Sequence, residues 1–147
     1  MFERVLTMTD YYDGPRAGIA ALDGVPHFYE SEWADREDLD TDVFTLSPVP
    51  EDVLPLALED WLIWRRWEVA FHRGEATQET HPALPADRAR HDELVGLLTG
   101  RMEVDLTRAI RASGEFRWRP DLNESGLGFH PLEVEWTILE HGLHSRE

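Results

Sequence analysis

Two histidines in the middle of the 147-residue sequence each follow a carboxylate by four positions, which gives the pairs Glu68/His72 and Asp87/His91. Residues four apart can share one side of an α-helix, so each pair can present an imidazole and a carboxylate together. Zn, Mn and Fe accept both kinds of ligand, and a bound metal lowers the pKa of a water molecule enough for hydrolysis. The four residues are therefore a candidate metal site, with the histidines as ligands and the carboxylates as ligands or general base.

Two predicted helices would carry these pairs. The stretch SPVPEDVLPLALEDWLIWRRWEVAFHRG has helical periodicity, carboxylates near its start and Gly74 as a stop signal, and it predicts a helix over about 52–73. A second helix is predicted from about Pro85 to Ala112. Because a short connection makes consecutive helices antiparallel neighbours, the end of the first helix and the start of the second would bring the two pairs together.

A structural network is the alternative interpretation of the same residues. Glu68 stands three positions after Arg65, and Trp61 stands one turn before it. Glu68 can therefore satisfy Arg65 or His72, and Trp61 can make a cation–π contact with Arg65. The spacing also differs from the Glu-x-x-His of di-iron bundles and the His-Glu-x-x-His of zinc proteases. The sequence predicts no definite cofactor and leaves a divalent metal as the candidate to test.

The net charge of the chain is −16 at pH 7, and most of it lies in one stretch. Between Glu30 and Asp60 eleven carboxylates are opposed by Arg36 alone, which concentrates −10 there. Such a run is most often solvated surface. It can instead be a docking patch for a basic protein, or a mimic of the DNA backbone that occupies a DNA-binding protein. The candidate binding residues in this stretch are Glu37, Asp38, Asp40 and Asp42.

A second candidate binding region is the loop that follows the first predicted strand. Tyr11 and Tyr12 stand beside Asp13. Paired aromatic rings next to a carboxylate can form a platform for a ligand, although tyrosines that merely pack at a strand end are commoner. The following Gly14-Pro15 is explained as loop punctuation.

Composition and motifs exclude several classes of function. The absence of Cys excludes disulfides, thiolate metal sites and cysteine nucleophiles, and no phosphate-binding glycine loop, dinucleotide fingerprint or serine-hydrolase elbow occurs. Asp38, Asp40 and Asp42 alternate as in a calcium loop, but Val43 stands where the loop requires Gly.

The charge and the hydrophobic pattern also indicate partners and location. All 14 basic residues are Arg, as in proteins from GC-rich bacterial genomes or salt-adapted organisms. The acidic excess disfavours direct binding to nucleic acid or to an anionic membrane. No apolar run approaches the roughly 18 residues of a membrane-spanning helix, and the N-terminus lacks the pattern of a secretory signal. We therefore expect a cytoplasmic protein with a protein partner, which is basic if the acidic stretch makes the contact, and a homodimer if Trp67 is exposed.

The remaining segments alternate as β-strands do, and Asp23-Gly24 is a strong hairpin signal. Strands, then two helices, then strands describe an α+β domain in which an antiparallel, open or barrel-like sheet packs against a two-helix hairpin. One domain is expected over 1–147. Its expected parts are N-terminal strands in 1–46, a helical hairpin in 52–112, C-terminal strands in 115–140 and a tail in 141–147.

These observations favour a small acidic module that binds or regulates another protein and catalyses no reaction. The alternative is a metal-dependent hydrolase with its site between the two helices. A weaker alternative is an inhibitor that mimics DNA and occupies a DNA-binding protein.

Overall fold

The computed structural model describes residues 1–11, 15–32, 43–119 and 132–141, with only the backbone for residues 10, 11, 140 and 141. These residues form two compact units. The first contains the described residues of Met1–Pro50, Glu103–Arg119 and Leu132–Glu147, and the second contains Glu51–Met102. The helical unit is therefore inserted in the chain between two strands, and the expectation of one domain over 1–147 stays a prediction.

The first unit is a closed barrel of six antiparallel strands that follow one another in chain order. The last strand closes the barrel on the first, where Glu3 is opposite Val134 and Arg4 is opposite Glu133. The predicted α+β class and barrel-like antiparallel sheet are confirmed. The strands are β1 (Glu3–Tyr11), β2 (Pro15–Leu22), β3 (Val25–Ser31), β4 (Val43–Pro48), β5 (Ile110–Trp118) and β6 (Leu132–His141).

The turn between β2 and β3 has the chemistry that the Asp-Gly pair predicts. Asp23 has φ 53° and Gly24 has φ 78°, as a two-residue hairpin turn with two positive φ angles requires. The carboxylate of Glu3 accepts hydrogen bonds from both turn N–H groups, at 2.9 and 2.8 Å. This contact ties the start of β1 to the turn.

Aromatic rings pack against each other in the barrel core. The ring centroids of Tyr29, Phe44, Phe116 and Trp136 lie 5.5 to 6.0 Å apart, within the range of favourable ring contacts. The Tyr29 hydroxyl donates to the Thr7 carbonyl at 3.2 Å, and burial raises the pKa of that hydroxyl. The buried members of this core are Ala20, Leu22, Tyr29, Phe44, Leu46, Ala112 and Val134.

The second unit contains α1 (Leu54–His72) and α2 (Arg88–Leu98). The first helix has the predicted extent, and Gly74 follows it with φ 77°. The second is shorter than predicted and stops at Leu98 instead of continuing to about Ala112. Gly100 adopts φ 76°, which a continuing helix does not allow. Among the described residues no helix has the length and apolar character needed to cross a membrane.

The predicted boundary at 112 was wrong because β5 begins at Ile110. Residues 110–118 pair along β6 from Ile110 opposite His141 to Trp118 opposite Leu132, and the register shifts once, between Arg111 and Ala112. This pairing joins residues distant in sequence, which helical periodicity cannot indicate.

Candidate functional site

Ion pairs set how α1 and α2 lie beside each other. Arg66 donates to both carboxylate oxygens of Asp87, at 3.1 Å each. Further along, Nδ1 of His91 lies 2.7 Å from the Asp60 carboxylate. The two contacts run in opposite directions along the two helices, which confirms that the helices are antiparallel neighbours.

This register separates the two candidate histidines. His91 contacts Asp60, which is twelve residues before His72 in α1. At the helical rise this corresponds to about 18 Å along the helix axis. His72 is exposed at the end of α1, where its ring lies beside that of Phe71 with centroids 5.7 Å apart. The structure therefore brings Asp87 next to α1 but does not bring His72 and His91 together.

Glu68 belongs to a buried network centred on Arg65. The Arg65 side chain is only 2% exposed, and its guanidinium forms an ion pair with the Glu68 carboxylate. The same guanidinium lies over two indole rings, 5.2 Å from the centroid of Trp61 and 5.9 Å from that of Trp64. Burial lowers the pKa of Arg65, and the nearby Glu68 charge opposes this effect. The Arg65, Glu68 and Trp61 contacts are those of the structural network that the sequence offered as an alternative.

The four candidate metal ligands thus enter separate contacts. In the described part of the chain no group of three or more His, Asp or Glu side chains is arranged to hold a metal ion. Glu68 bonds to Arg65, Asp87 to Arg66 and His91 to Asp60. The metal site stays a prediction, and the contacts of α1 and α2 do not group its four candidate ligands.

Trp67 is buried inside the helical unit. It is 4% exposed, its indole N–H donates to the Thr80 hydroxyl at 2.9 Å, and its ring stacks on Phe71. A homodimer was expected if Trp67 were exposed. Because Trp67 is buried, its ring is not available for an apolar contact with a second protomer.

The candidate binding residues lie mainly outside the described ranges. This applies to Tyr12 and Asp13 and to Glu37, Asp38, Asp40 and Asp42, whereas the backbone of Tyr11 ends β1 opposite Pro15.

We call residues 33–42, which carry five carboxylates and Arg36, the acidic segment. The described residues on either side of the acidic segment are held together. The Glu32 N–H donates to the Val43 carbonyl at 2.9 Å. The Glu32 carboxylate accepts from Arg111 at 2.8 and 2.9 Å and from the Thr45 hydroxyl at 3.1 Å. The fold therefore holds the residues that flank the acidic segment side by side, Glu32 just after β3 and Val43 at the start of β4.

Most of the arginines are paired with carboxylates of their own unit. Hydrogen bonds from Arg101 hold the pKa of Asp52 below its usual range, and those from Arg90 do the same for Glu59. The arginines with such an ion pair are Arg65, Arg66, Arg88, Arg90, Arg101, Arg111, Arg117 and Arg119.

One group of arginines was not indicated by the sequence. Arg117 and Arg119 of the C-terminal strand region both bond to Glu133, and Arg4 stands opposite the same Glu133 on β1. The alternation of charged residues with Phe116 and Trp118 predicts a strand. It could not indicate that β1 and β6 would bring Arg4 and Glu133 beside the two arginines.

No protein-family model, no curated protein and no solved structure matches this chain. The function is therefore inferred from the residues alone.

Proposed function

We propose that this protein is a non-catalytic binding or regulatory module whose acidic segment docks on a basic surface of a partner protein. The observation that supports it most directly is the pairing of the arginines. In the described part of the chain at least eight of them form ion pairs within their own unit, while the chain keeps a net charge of −16. The acidic excess is consequently available to an external cation.

The anchoring of the acidic segment also supports this proposal. Glu32 and Val43, the described residues that flank it, are joined by a backbone hydrogen bond. Fixed ends reduce the chain entropy that docking must remove, so a charged segment held in this way binds better than a free tail. Complementary charge would raise the association rate and select basic partners. The location expected for this interaction is the cytoplasm.

The same charge makes the partner's chemistry testable. Four substitutions, Glu37→Gln, Asp38→Asn, Asp40→Asn and Asp42→Asn, neutralise the acidic segment without adding bulk. The parent protein, immobilised, should retain a partner at low salt and release it as salt screens the contact. The neutralised variant should retain at least about tenfold less, since it lacks most of the attracting charge.

A matched control removes the same charge elsewhere. Glu51→Gln, Glu75→Gln, Glu79→Gln and Glu115→Gln alter four exposed carboxylates with no ion pair in the described part of the chain. This control should retain the partner as well as the parent does. Equal capture by the parent and the acidic-segment variant would contradict the proposal. Equal loss of capture in the acidic-segment variant and the control would also contradict it, because the partner would then respond to the net charge of the protein and not to the acidic segment. If DNA releases the captured protein, the segment acts as a DNA mimic.

A further inference from the structure

Three arginines surround Glu133 on the outer face of the barrel, and we call Arg4, Arg117 and Arg119 the arginine cluster. Glu133 lies opposite Arg4 on β1 and opposite Arg117 on β5. Residues directly opposite in a sheet project from the same face. The neighbouring Val134 is fully buried in the core, and successive side chains point to opposite faces. Glu133 and the two arginines therefore point outward together.

Arg117 and Arg119 of this cluster share the carboxylate of Glu133. Oε1 of Glu133 accepts from Arg117 at 3.1 and 2.9 Å and from Arg119 at 2.7 Å. The Glu133 side chain is only 12% exposed. Partial burial disfavours its charge, but the two arginines together hold the pKa of Glu133 below its usual range. Arg117 and Arg119 thus share the Glu133 carboxylate between them.

Arg4 is exposed and has no ion-pair partner in the described part of the chain. Its position beside Glu133 is set by the strand register that closes the barrel. Glu133 is engaged by Arg117 and Arg119, so the charge of Arg4 is not neutralised by an ion pair among the described residues. A cation held in this way attracts an anion from solution.

Arg117 keeps donors for the same anion. Of the five N–H groups that a guanidinium carries, those on Nε and Nη2 reach Glu133. The ring of Phe2 lies over the guanidinium, 3.8 Å from its centre to the ring centroid. Stacking covers a face of the planar group and leaves the N–H donors at its edge accessible. Phe2 therefore orients Arg117 without consuming its hydrogen bonds.

The positions of Arg4 and Arg117 on either side of β6 indicate which anion fits. Arg4 and Arg117 lie on the two strands that flank β6, so their backbones are at most about 9.6 Å apart, twice the strand spacing. The two oxygens of a carboxylate match the fork of a single Arg, whereas a phosphate has further oxygens for a second fork. A phosphate monoester also carries a charge of about −1.5 to −2 at pH 7. We propose that the arginine cluster is a binding site for the phosphate group of a small phosphomonoester or of inorganic phosphate.

The charge of the whole chain limits the ligand to a small one. Screening at physiological salt acts over about 8 Å, so a phosphate group at the arginine cluster is largely shielded from distant carboxylates. A nucleic acid extends far beyond that distance and meets the remaining acidic surface of a chain with net charge −16. The acidic surface therefore repels a polyanion, whereas a single phosphate group can stay bound at the arginine cluster.

The test is calorimetric titration of the full chain with inorganic phosphate at constant ionic strength. The parent should bind, and Arg4→Gln should raise the dissociation constant at least about tenfold, the effect of losing a hydrogen bond to a charged group. Arg108→Gln is the matched control, because Arg108 is exposed in the same unit and has no ion-pair partner in the described part of the chain. It should bind as the parent does. Arg4→Lys keeps the charge and should restore part of the affinity.

Two further ligands distinguish the source of the phosphate group. Adenosine monophosphate that binds as tightly as phosphate, or more tightly, and depends on Arg4 supports recognition of a phosphate group. A single-stranded oligonucleotide that binds more tightly than either would overturn the assignment to a small ligand. The proposal is also overturned if the parent gives no heat of binding, or if Arg4→Gln and Arg108→Gln bind equally well.

Discussion

Gly18 stands where β1 bulges towards β2 and the two backbones come close. The register shifts between Val5 and Thr7, and the Thr7 hydroxyl accepts a hydrogen bond from the Ile19 N–H at 3.0 Å. A Cβ on Gly18 would collide with the carbonyl oxygen of Thr7. The sequence predicted the Asp23-Gly24 turn because both residues that define it are adjacent. The sequence could not predict that position 18 requires glycine, since the atom that would collide with a Cβ there is the carbonyl oxygen of Thr7 on another strand.

Gly18→Ala should lower the free energy of unfolding by at least about 3 kcal/mol, because a backbone carbonyl cannot move aside without breaking the pairing of β1. Gly114→Ala should cost less, about 1–3 kcal/mol, since the obstacle is the Trp136 ring, 2.6 Å from the added carbon. Urea denaturation measures both values.

Gly96→Ala is the control for these substitutions. Gly96 lies within α2 and has no atom within 4 Å of an added Cβ. Alanine there should raise stability by up to about 1 kcal/mol through helix propensity. Equal effects of Ala at positions 18 and 96 would show that the close approach of β1 does not constrain the barrel.

At the scale of the elements, the sequence predicted the existence of both helices but not their relative register. Helical periodicity shows which side of a helix is apolar, and this identified the inward position of Arg65, which is 2% exposed. The register depends on which charged side chains meet across the hairpin, here Arg66 with Asp87 and Asp60 with His91. The sequence is compatible with several pairings of charged residues between the two helices. It therefore does not predict the separation of His72 from His91, which the structure shows.

This register predicts how the helical hairpin responds to metal. A ligand that binds only the folded state raises its stability, but here Asp87 and His91 already bond to α1. We expect Zn or Mn to leave the melting temperature unchanged relative to chelator. His91→Ala should lower the melting temperature by removing the Asp60 contact, equally with and without metal.

The matched variant is His72→Ala, which changes the other candidate ligand. A metal-dependent rise in the melting temperature of the parent that disappears in both histidine variants would contradict this expectation. That result would make the metal-dependent hydrolase, until then the alternative, the leading function.

At the scale of the whole molecule, two charge effects of opposite sign control stability. The net charge of −16 at pH 7 makes the compact state repel itself, and this repulsion falls as the pH approaches the isoelectric point of about 4.7. The ion pairs act in the opposite direction. Hydrogen bonds from arginines lower the pKa of Asp52 and of Glu59, so these carboxylates contribute stability above their unfolded pKa values, which is lost as the pH falls through the folded ones.

The melting temperature at low salt should therefore rise as the pH falls from 8 to about 5, and then decrease below about 4, where the paired carboxylates of the folded state become protonated. High salt should make the melting temperature change less between pH 8 and about 5, because salt screens repulsion between exposed charges more strongly than contacts between paired groups. Thermal unfolding followed by circular dichroism from pH 3 to 8, at two salt concentrations, measures both branches. If the melting temperature at pH 8 does not respond to salt, repulsion does not limit stability, and the acidic surface is then compensated within the fold and less available to a basic partner.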